Sequence, residues 1–253
     1  MSASIVTEAI LVARDLTKTY RIARKRAEVI KHLDLEVKPG EFLTIVGPSG
    51  CGKSTLLHLL AGFDLPDSGD ITIAGQLITA MDEDRRTIFR REHIGFVFQF
   101  FNLIPSLTLA ENVALPLTLS GHGRREVFPM VGEMMERLSL SQMQGRRPEE
   151  ISGGEQQRIA IARALMIKPS IVMADEPTGN LDFTTSGSVI QMLLEVSRSG
   201  QTVIMATHDA RAAAFGDRTL VMRDGSIIDE LVWGQRQGHA SGPLIERLVS
   251  LGM

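Results

Sequence analysis

The sequence predicts an α/β fold with a helical block inserted near its middle. Three observations carry this. Short, mainly apolar runs at residues 42–46, 171–174 and 203–206 have the length and character of buried strands. Helical patterns alternate with those runs, as in α/β domains. From Leu107 to about Met166 the pattern becomes mainly helical, and strands return only afterwards.

Each element follows from local chemistry. Residues 10–12 read as a strand. Leu33, Leu35 and Val37 alternate, and Pro39-Gly40 turns the chain behind them. The strand 42–46 runs into a Gly-rich loop. Residues 53–61 form a helix with Leu56, Leu57, Leu59 and Leu60 as its core, and Gly62 is placed to end it. Strands follow at 71–73 and 94–98. Thr108 and Glu111 stand at capping-box spacing and open a helix. After the block come strands at 171–174, 203–206 and 219–222. The last leads into Asp224-Gly225, a hairpin signal, and Ile227-Ile228 pairs back. Residues 1–232 read as one domain, with the helical part at about 100–166. Residues 233–253, interrupted by Gly234, Gly238 and Gly242, read as an extension with a short helix at 244–251.

Composition narrows the function classes. A formal charge of −3 gives the surface as a whole no pull on polyanions, so no nucleic acid is expected as a partner. Aromatics are only 5%, too few for a base-stacking platform. The one cysteine, Cys51, cannot form an intrachain bridge, and nothing asks for an oxidising compartment. Met1-Ser2-Ala3-Ser4-Ile5-Val6-Thr7-Glu8 lacks the basic start and apolar run of a signal peptide. The uncharged stretch 94–110 contains Gln99, Asn102, Pro105, Ser106 and Thr108, so it reads as buried protein, not as a membrane span of ~20 apolar residues. The basic clusters at 21–31, 85–91 and 146–147 read as solvated surface. The expected location is cytoplasmic, peripheral to the inner face of the plasma membrane only through a partner.

Gly47-Pro48-Ser49-Gly50-Cys51-Gly52-Lys53-Ser54, followed by Thr55, fits G-x-x-x-x-G-K-[ST] without a mismatch. A strand precedes it and a helix follows. Glycines let backbone N–H groups turn inward around phosphate oxygens, and the helix N-terminus adds donors and a favourable dipole. Lys53 reaches the β and γ phosphates of a nucleotide, and the Ser54 hydroxyl suits Mg²⁺. Cys51 occupies a free position of the loop. The strand 171–174 ends in Asp175 and Glu176. Beside a phosphate loop, Asp175 is expected to hold Mg²⁺ and Glu176 to polarise the attacking water.

A phosphate loop alone leaves kinases, GTPases, helicases and transport ATPases open. No guanine-reading Asn/Thr-Lys-x-Asp motif is present, which disfavours a GTPase. Ser152-Gly153-Gly154-Glu155-Gln156 opens a helix with Ser152 and Glu155 at capping-box spacing. Two glycines in a first turn weaken a helix by ~1 kcal/mol each. They make sense where backbone must come close to a ligand, as a second anion site.

These motifs, in this order, resemble the nucleotide-binding subunit of an ABC transporter from about Ile10 to Glu230. The resemblance implies a P-loop NTPase (RecA-like) core with an antiparallel β subdomain and an inserted α-helical subdomain. It makes Gln99 the Q-loop glutamine, a Mg²⁺ and catalytic residue. It makes Ser152-Gly153-Gly154-Glu155 the signature, a nucleotide contact, and Gly179-Asn180-Leu181-Asp182 the D-loop, with Asp182 at the nucleotide. His208 becomes the switch histidine that senses the γ-phosphate, and Tyr20 the aromatic that stacks on adenine, although Tyr20 also fits a packed core tyrosine. Two departures are Ile151 where Leu is usual and Glu155 where the broad family has Gln. That Glu and the run Phe98-Gln99-Phe100-Phe101-Asn102-Leu103-Ile104-Pro105 are similar to the branch of lipoprotein-releasing, macrolide-exporting, peptide-exporting and cell-division ATPases.

The resemblance implies ATP and Mg²⁺ as cofactors, a head-to-tail homodimer, and an integral membrane permease subunit as partner. Its ATP hydrolysis would serve transport or, alternatively, an envelope signalling or cell-division complex. A soluble ABC-type ATPase acting on nucleic acid would carry two cassettes or a coiled-coil insertion, and a phosphotransferase has no use for Ser152-Gly153-Gly154. Phe100 and Phe101 read as core ahead of partner docking.

Overall fold

The computed structural model describes residues 9–22, 25–233 and 241–252. Residues 1–8, read above for a leader, and the extension's Gly234 and Gly238 lie outside the described residues. In chain order the elements are β1 (Leu11–Ile22), β2 (Lys25–Val37), β3 (Phe42–Val46), α1 (Lys53–Leu60), β4 (Ser68–Ile73), β5 (Gln76–Leu77), α2 (Glu83–His93) and β6 (Ile94–Val97). Then come α3 (Leu109–Leu119), α4 (Arg124–Arg137), α5 (Gly153–Leu165), β7 (Ile171–Asp175), α6 (Phe183–Arg198), β8 (Thr202–Thr207), α7 (Ala210–Ala213), β9 (Arg218–Arg223), β10 (Ser226–Val232) and α8 (Gly242–Ser250).

Two sheets form the frame. A four-stranded antiparallel sheet has the order β2-β1-β4-β5, and a six-stranded sheet has the order β10-β9-β3-β8-β7-β6. In the larger sheet β9, β3, β8, β7 and β6 run parallel, and β10 closes one edge antiparallel to β9. Strict alternation divides the core. Ile171 and Met173 face one apolar cluster with Ile204, Ala206 and the α1 leucines, while Val172 and Ala174 face the other with Val203, Met205 and the helical block. A strand buried on both faces needs this double apolar character, which is why 171–174 and 203–206 carry no polar residue; Thr44, the exception in β3, is buried with its hydroxyl donating to the Ala213 carbonyl at 2.8 Å. The Asp224-Gly225 turn joins β9 to β10 with both residues at positive φ, 50° and 84°, as a two-residue hairpin requires.

α3 starts on the Thr108–Glu111 capping box. Helix α2 has almost no apolar stripe, since only Arg86 and Phe89 are buried, so periodicity does not reveal it. Its signals are at its ends: Asp82 caps it, Glu83 and Asp84 fill the first turn, and Arg90, Arg91 and His93 the last. The basic cluster at 85–91 is therefore not simply solvated surface. Arg86 is buried and pairs with Glu83, and Arg90 bonds Glu83 and the Gly62 carbonyl.

The segment beyond β10 lies against the larger sheet. Leu244 of α8 is fully buried in a small cluster with Val46, Ala213, Ala214 and Val221. Trp233 packs on the same cluster, and its indole N–H donates to the Thr219 hydroxyl at 2.8 Å. Arg247 of α8 pairs with Asp229 of β10 at 2.5 Å.

α5 and α6 meet so closely that a side chain cannot fit at Gly154. A Cβ there would sit 2.0 Å from the Thr185 methyl. Thr185 cannot turn away freely, because its hydroxyl donates to Asp182 at 2.6 Å. An added methyl at an exposed helix glycine gains ~1 kcal/mol, so the clash decides the sign. Gly154→Ala is expected to lose about 1–3 kcal/mol of stability, measured by urea unfolding. Adding Thr185→Ser, which deletes that methyl and keeps the hydroxyl, should recover most of the loss; no recovery would place the strain elsewhere.

Candidate active site

Parallel strands end at one edge of a sheet, and their connections gather the polar residues there. Val46 is level with Thr207, Asp175 with Ala206, and Val97 with Ala174. The loops after β3, β6, β7 and β8 therefore leave the sheet side by side.

The loop from Gly47 to Gly52 joins β3 to α1. Gly47, Cys51 and Gly52 are buried, whereas Pro48, Ser49 and Gly50 face outward. Gly52 stands at φ 108°, and a Cβ there would lie 2.7 Å from the Val29 carbonyl oxygen, so only glycine fits. The β9–β10 turn braces the loop: Gly225 N–H donates to the Cys51 carbonyl at 3.0 Å, and the Gly225 carbonyl accepts from Lys31 N–H at 2.9 Å. Burial pushes the Cys51 thiol above its ordinary pKa, which keeps it protonated and unreactive.

Lys53, Ser54, Asp175, Glu176 and His208 form one contact network. Lys53 Nζ donates to the Gly47 and Pro48 carbonyls at 2.9 and 3.2 Å and lies 3.5 Å from Glu176 Oε1. The Ser54 hydroxyl donates to Asp175 Oδ1 at 2.9 Å. Burial raises the Asp175 pKa, with the Ser54 hydrogen bond working against it. Glu176 is held in the left-handed region at φ 47°, by its own N–H on the Ala206 carbonyl at 2.9 Å and by Gly179 N–H on its carbonyl at 3.0 Å. Its Oε2 accepts from His208 Nδ1 at 2.7 Å and from His208 N–H at 3.3 Å. Strain of this kind in a bulky residue collects at functional sites. The carboxylate is mostly buried and the imidazole mostly exposed, so the pair faces the solvent mouth of the loop.

Gln99 follows β6, and its carbonyl accepts from Asn180 Nδ2 at 3.0 Å. Its amide packs on Gly179, where a Cβ would come within 2.9 Å of Nε2. Tyr20 lies beside the first turn of α1, with Thr55 within hydrogen-bonding reach of its phenol. The Tyr20 hydroxyl donates to Asp64 at 2.7 Å, and Lys18 both pairs with Asp64 and sits 5.2 Å above the ring. Burial, then Asp64, push the phenol pKa up to about 12, so it stays neutral.

The remaining predicted residues stand apart from this network. Ser152 caps α5, accepting from Glu155 N–H at 3.3 Å, and the Glu155 carboxylate turns back on Ser152 N–H and hydroxyl, both at 2.7 Å. Those bonds hold the Glu155 pKa below the ordinary carboxylate range. Gly153 packs on Leu181 and Phe101, and Gly154 on Thr185. The close approach these glycines permit is thus partly to the chain itself. Asp182 caps α6 through Thr184 and Thr185 N–H, both at 3.1 Å. Phe100, expected in the core, is instead 70% exposed, while Phe101 is half-buried. Sequence reasoning did not single out Lys18, Asp64 or Thr185, and it placed Asn180 in the D-loop without its bond to Gln99; their partners lie far along the chain except for Thr185, whose i+3 spacing from Asp182 is an N-cap signal.

The ABC transporter family profile matches residues 30–179. A lipoprotein-releasing system ATP-binding protein, LolD, of Psychrobacter arcticus is 45% identical over 219 residues, covering 86% of this chain and 97% of the relative. A protein of Mycobacterium tuberculosis named as an ABC transporter ATP-binding protein is 45% identical over 215 residues, covering 85% and 87%. Among solved structures, the ATP-binding cassette MJ0796, as a dimer in a post-hydrolysis state with ADP and Pi, superposes with a TM-score of 0.81 at 39% identity. It covers 88% of this chain and 98% of that one. No described helix is long and apolar enough to cross a membrane. The chain belongs to the ABC transporter family and is one of its ATP-binding, ATP-hydrolysing subunits.

Proposed function

We propose that two copies of this chain face each other head to tail, hold two ATP molecules between them, and drive a separate permease embedded in the membrane. The observation that supports the pairing is the split within the predicted site. Lys53, Ser54, Asp175, Glu176 and His208 share one network, while Ser152, Gly153, Gly154 and Asp182 make their contacts on the starts of α5 and α6. The capped start of α5 is a donor surface for anions. Supplied by the second copy, it meets the γ-phosphate of ATP on the loop 47–55, so ATP favours the closed pair and its hydrolysis releases it. MJ0796, solved as a dimer with ADP and Pi, supports pairing of two copies.

Within each site Lys53 pairs with the β and γ phosphates, and backbone N–H groups of residues 47–55 cradle them. Glu176 accepts the proton of the attacking water, and His208 orients its carboxylate and faces the γ-phosphate. Tyr20 offers its ring to adenine, held in place by Asp64 and Lys18. The Ser54 hydroxyl and Asp175 carboxylate are hard oxygen donors of the kind Mg²⁺ takes, and the Gln99 side-chain carbonyl would complete the set. Bound there, Mg²⁺ would neutralise phosphate charge.

The relatives named for lipoprotein release support a permease that handles lipid-modified protein. Bound to such a permease, this chain would work at the inner face of the plasma membrane. An envelope signalling or cell-division role uses the same cassette with a different partner. Exposed Phe100 and Ile104, beside Gln99, suit a docking surface for the permease.

Glu176→Gln should bind MgATP and accumulate as a dimer, with turnover lowered on the order of a hundredfold or more. Light scattering and phosphate release check this, and near-parent turnover removes Glu176 from the role. Mixing Lys53→Ala with Ser152→Arg chains leaves one site of the mixed dimer with both defects and the other with neither. Hydrolysis should then partly recover, and mixed dimers without recovery refute the shared site. Phe100→Glu should keep the parent melting temperature and ATP binding and lose co-purification of the permease; retention of the permease sinks that docking surface.

A further inference from the structure

The segment from Phe98 to Asn102 links β6 to the helical block, and its conformation is held from outside. Four of its carbonyls accept from side chains of distant elements. Gln157 Nε2 donates to Phe98 O at 3.2 Å, and Asn180 Nδ2 to Gln99 O at 3.0 Å. Arg163 Nη2 donates to Phe101 O at 2.9 Å, and Arg163 Nη1 to Asn102 O at 2.6 Å. Phe101 and Asn102 both stand in the left-handed region, at φ 57° and 51°. Asn102 N–H also turns back to the Phe100 carbonyl, closing a three-residue turn.

Local chemistry does not favour this shape. Asn tolerates the left-handed region, but Phe does not, and the run Phe100-Phe101-Asn102-Leu103 has no glycine. Two carbonyls in successive left-handed residues point to nearly the same side, which suits a planar fork of N–H donors. Arg163 supplies that fork from the last turn of α5. It forms no ion pair with a carboxylate among the described residues, so its hydrogen bonds there go to the loop. A half-buried guanidinium gives up hydration, and here its hydrogen bonds to the two main-chain oxygens offset that cost, so the charge and the loop's shape hold each other in place.

We propose that Arg163 is a positioning residue for hydrolysis: its guanidinium locks the left-handed pair Phe101 and Asn102 and so fixes Gln99 at the end of β6. The proposal rests on the reading of Gln99 as a site residue given above. It makes α5 a reporter at both ends, with its first turn offered to nucleotide on the other copy and its last turn holding the loop of its own copy. Without the fork the pair relaxes to right-handed or extended backbone, and Gln99 is displaced while the loop 47–55 is untouched.

The test is a double-mutant cycle on the purified full chain, with Gln99→Ala, Arg163→Gln and the two combined, read as kcat and KM for ATP. Arg163→Gln keeps a polar side chain but shortens it and loses the fork. It should lower kcat on the order of tenfold to a hundredfold while KM stays within about threefold. Gln99→Ala should fall similarly, and the combination should be no slower than the slower single variant, because both remove one function. Arg163→Lys, a single-point donor, should fall between parent and Arg163→Gln. Parent-level turnover of Arg163→Gln beside a slow Gln99→Ala, or effects that multiply, overturns the positioning role. A parent-like Gln99→Ala overturns the reading of Gln99 itself, and the positioning role with it. Should Arg163→Gln fail to fold, Arg163→Lys carries the same cycle with the same outcomes.

Discussion

The parallel pairing of β3, β8, β7 and β6 is the constraint from which the rest of the molecule follows. It brings four strand ends level at one edge, so residues distant in sequence become neighbours: Ser54 and Asp175, Glu176 and His208, Lys53 and Glu176. Parallel strands must be buried on both faces, and both faces are covered here. The antiparallel sheet and α1 lie on one, and the helical block and α6 on the other. Charged side chains are thereby kept out of the middle of these strands and gathered where the strands stop. Glu176, the first residue past β7, shows the cost, for its backbone is bent into a conformation glutamate does not favour.

Helix α5 is the second organising element, and it is bound to its surroundings along its whole length. Its first turn touches Leu181, Phe101 and Thr185, its middle reaches the Phe98 carbonyl through Gln157, and its end grips residues 101 and 102 through Arg163. Glycines 153 and 154 serve this packing at the same time as they leave the helix start open. A single sequence feature thus answers two demands, and the motif cannot be credited to ligand binding alone.

What was legible in the sequence was whatever is local. The strand 42–46, the phosphate loop and the helix after it are contiguous, and the structure has β3 and α1 at those places. The Thr108–Glu111 and Ser152–Glu155 boxes are local as well. Helix α2 was not legible, because its stability comes from end charges and from Arg86 and Arg90 pairing with Glu83, not from an apolar stripe. β1 was read only at its first residues, since Arg14, Asp15 and Lys18 break the apolar pattern while the strand continues through bulges to Ile22. Phe100 was misread because an apolar residue between apolar neighbours looks buried, and only the left-handed turn after it shows that the ring faces outward. The partners of Tyr20 and Gln99 depend on contacts tens of residues away, which spacing cannot reveal.

Trp233 is the one indole in the chain, and its only tyrosine, Tyr20, lies in the other sheet. The indole is fixed between Thr219 and the cluster that holds Val46, the residue just ahead of the phosphate loop, together with Leu244 of α8. Its fluorescence is therefore an intrinsic optical signal from one seam of the molecule, with no second indole to compete. Quenching or a spectral shift would report, without any attached label, on how the C-terminal helix sits against the sheet as nucleotide comes and goes.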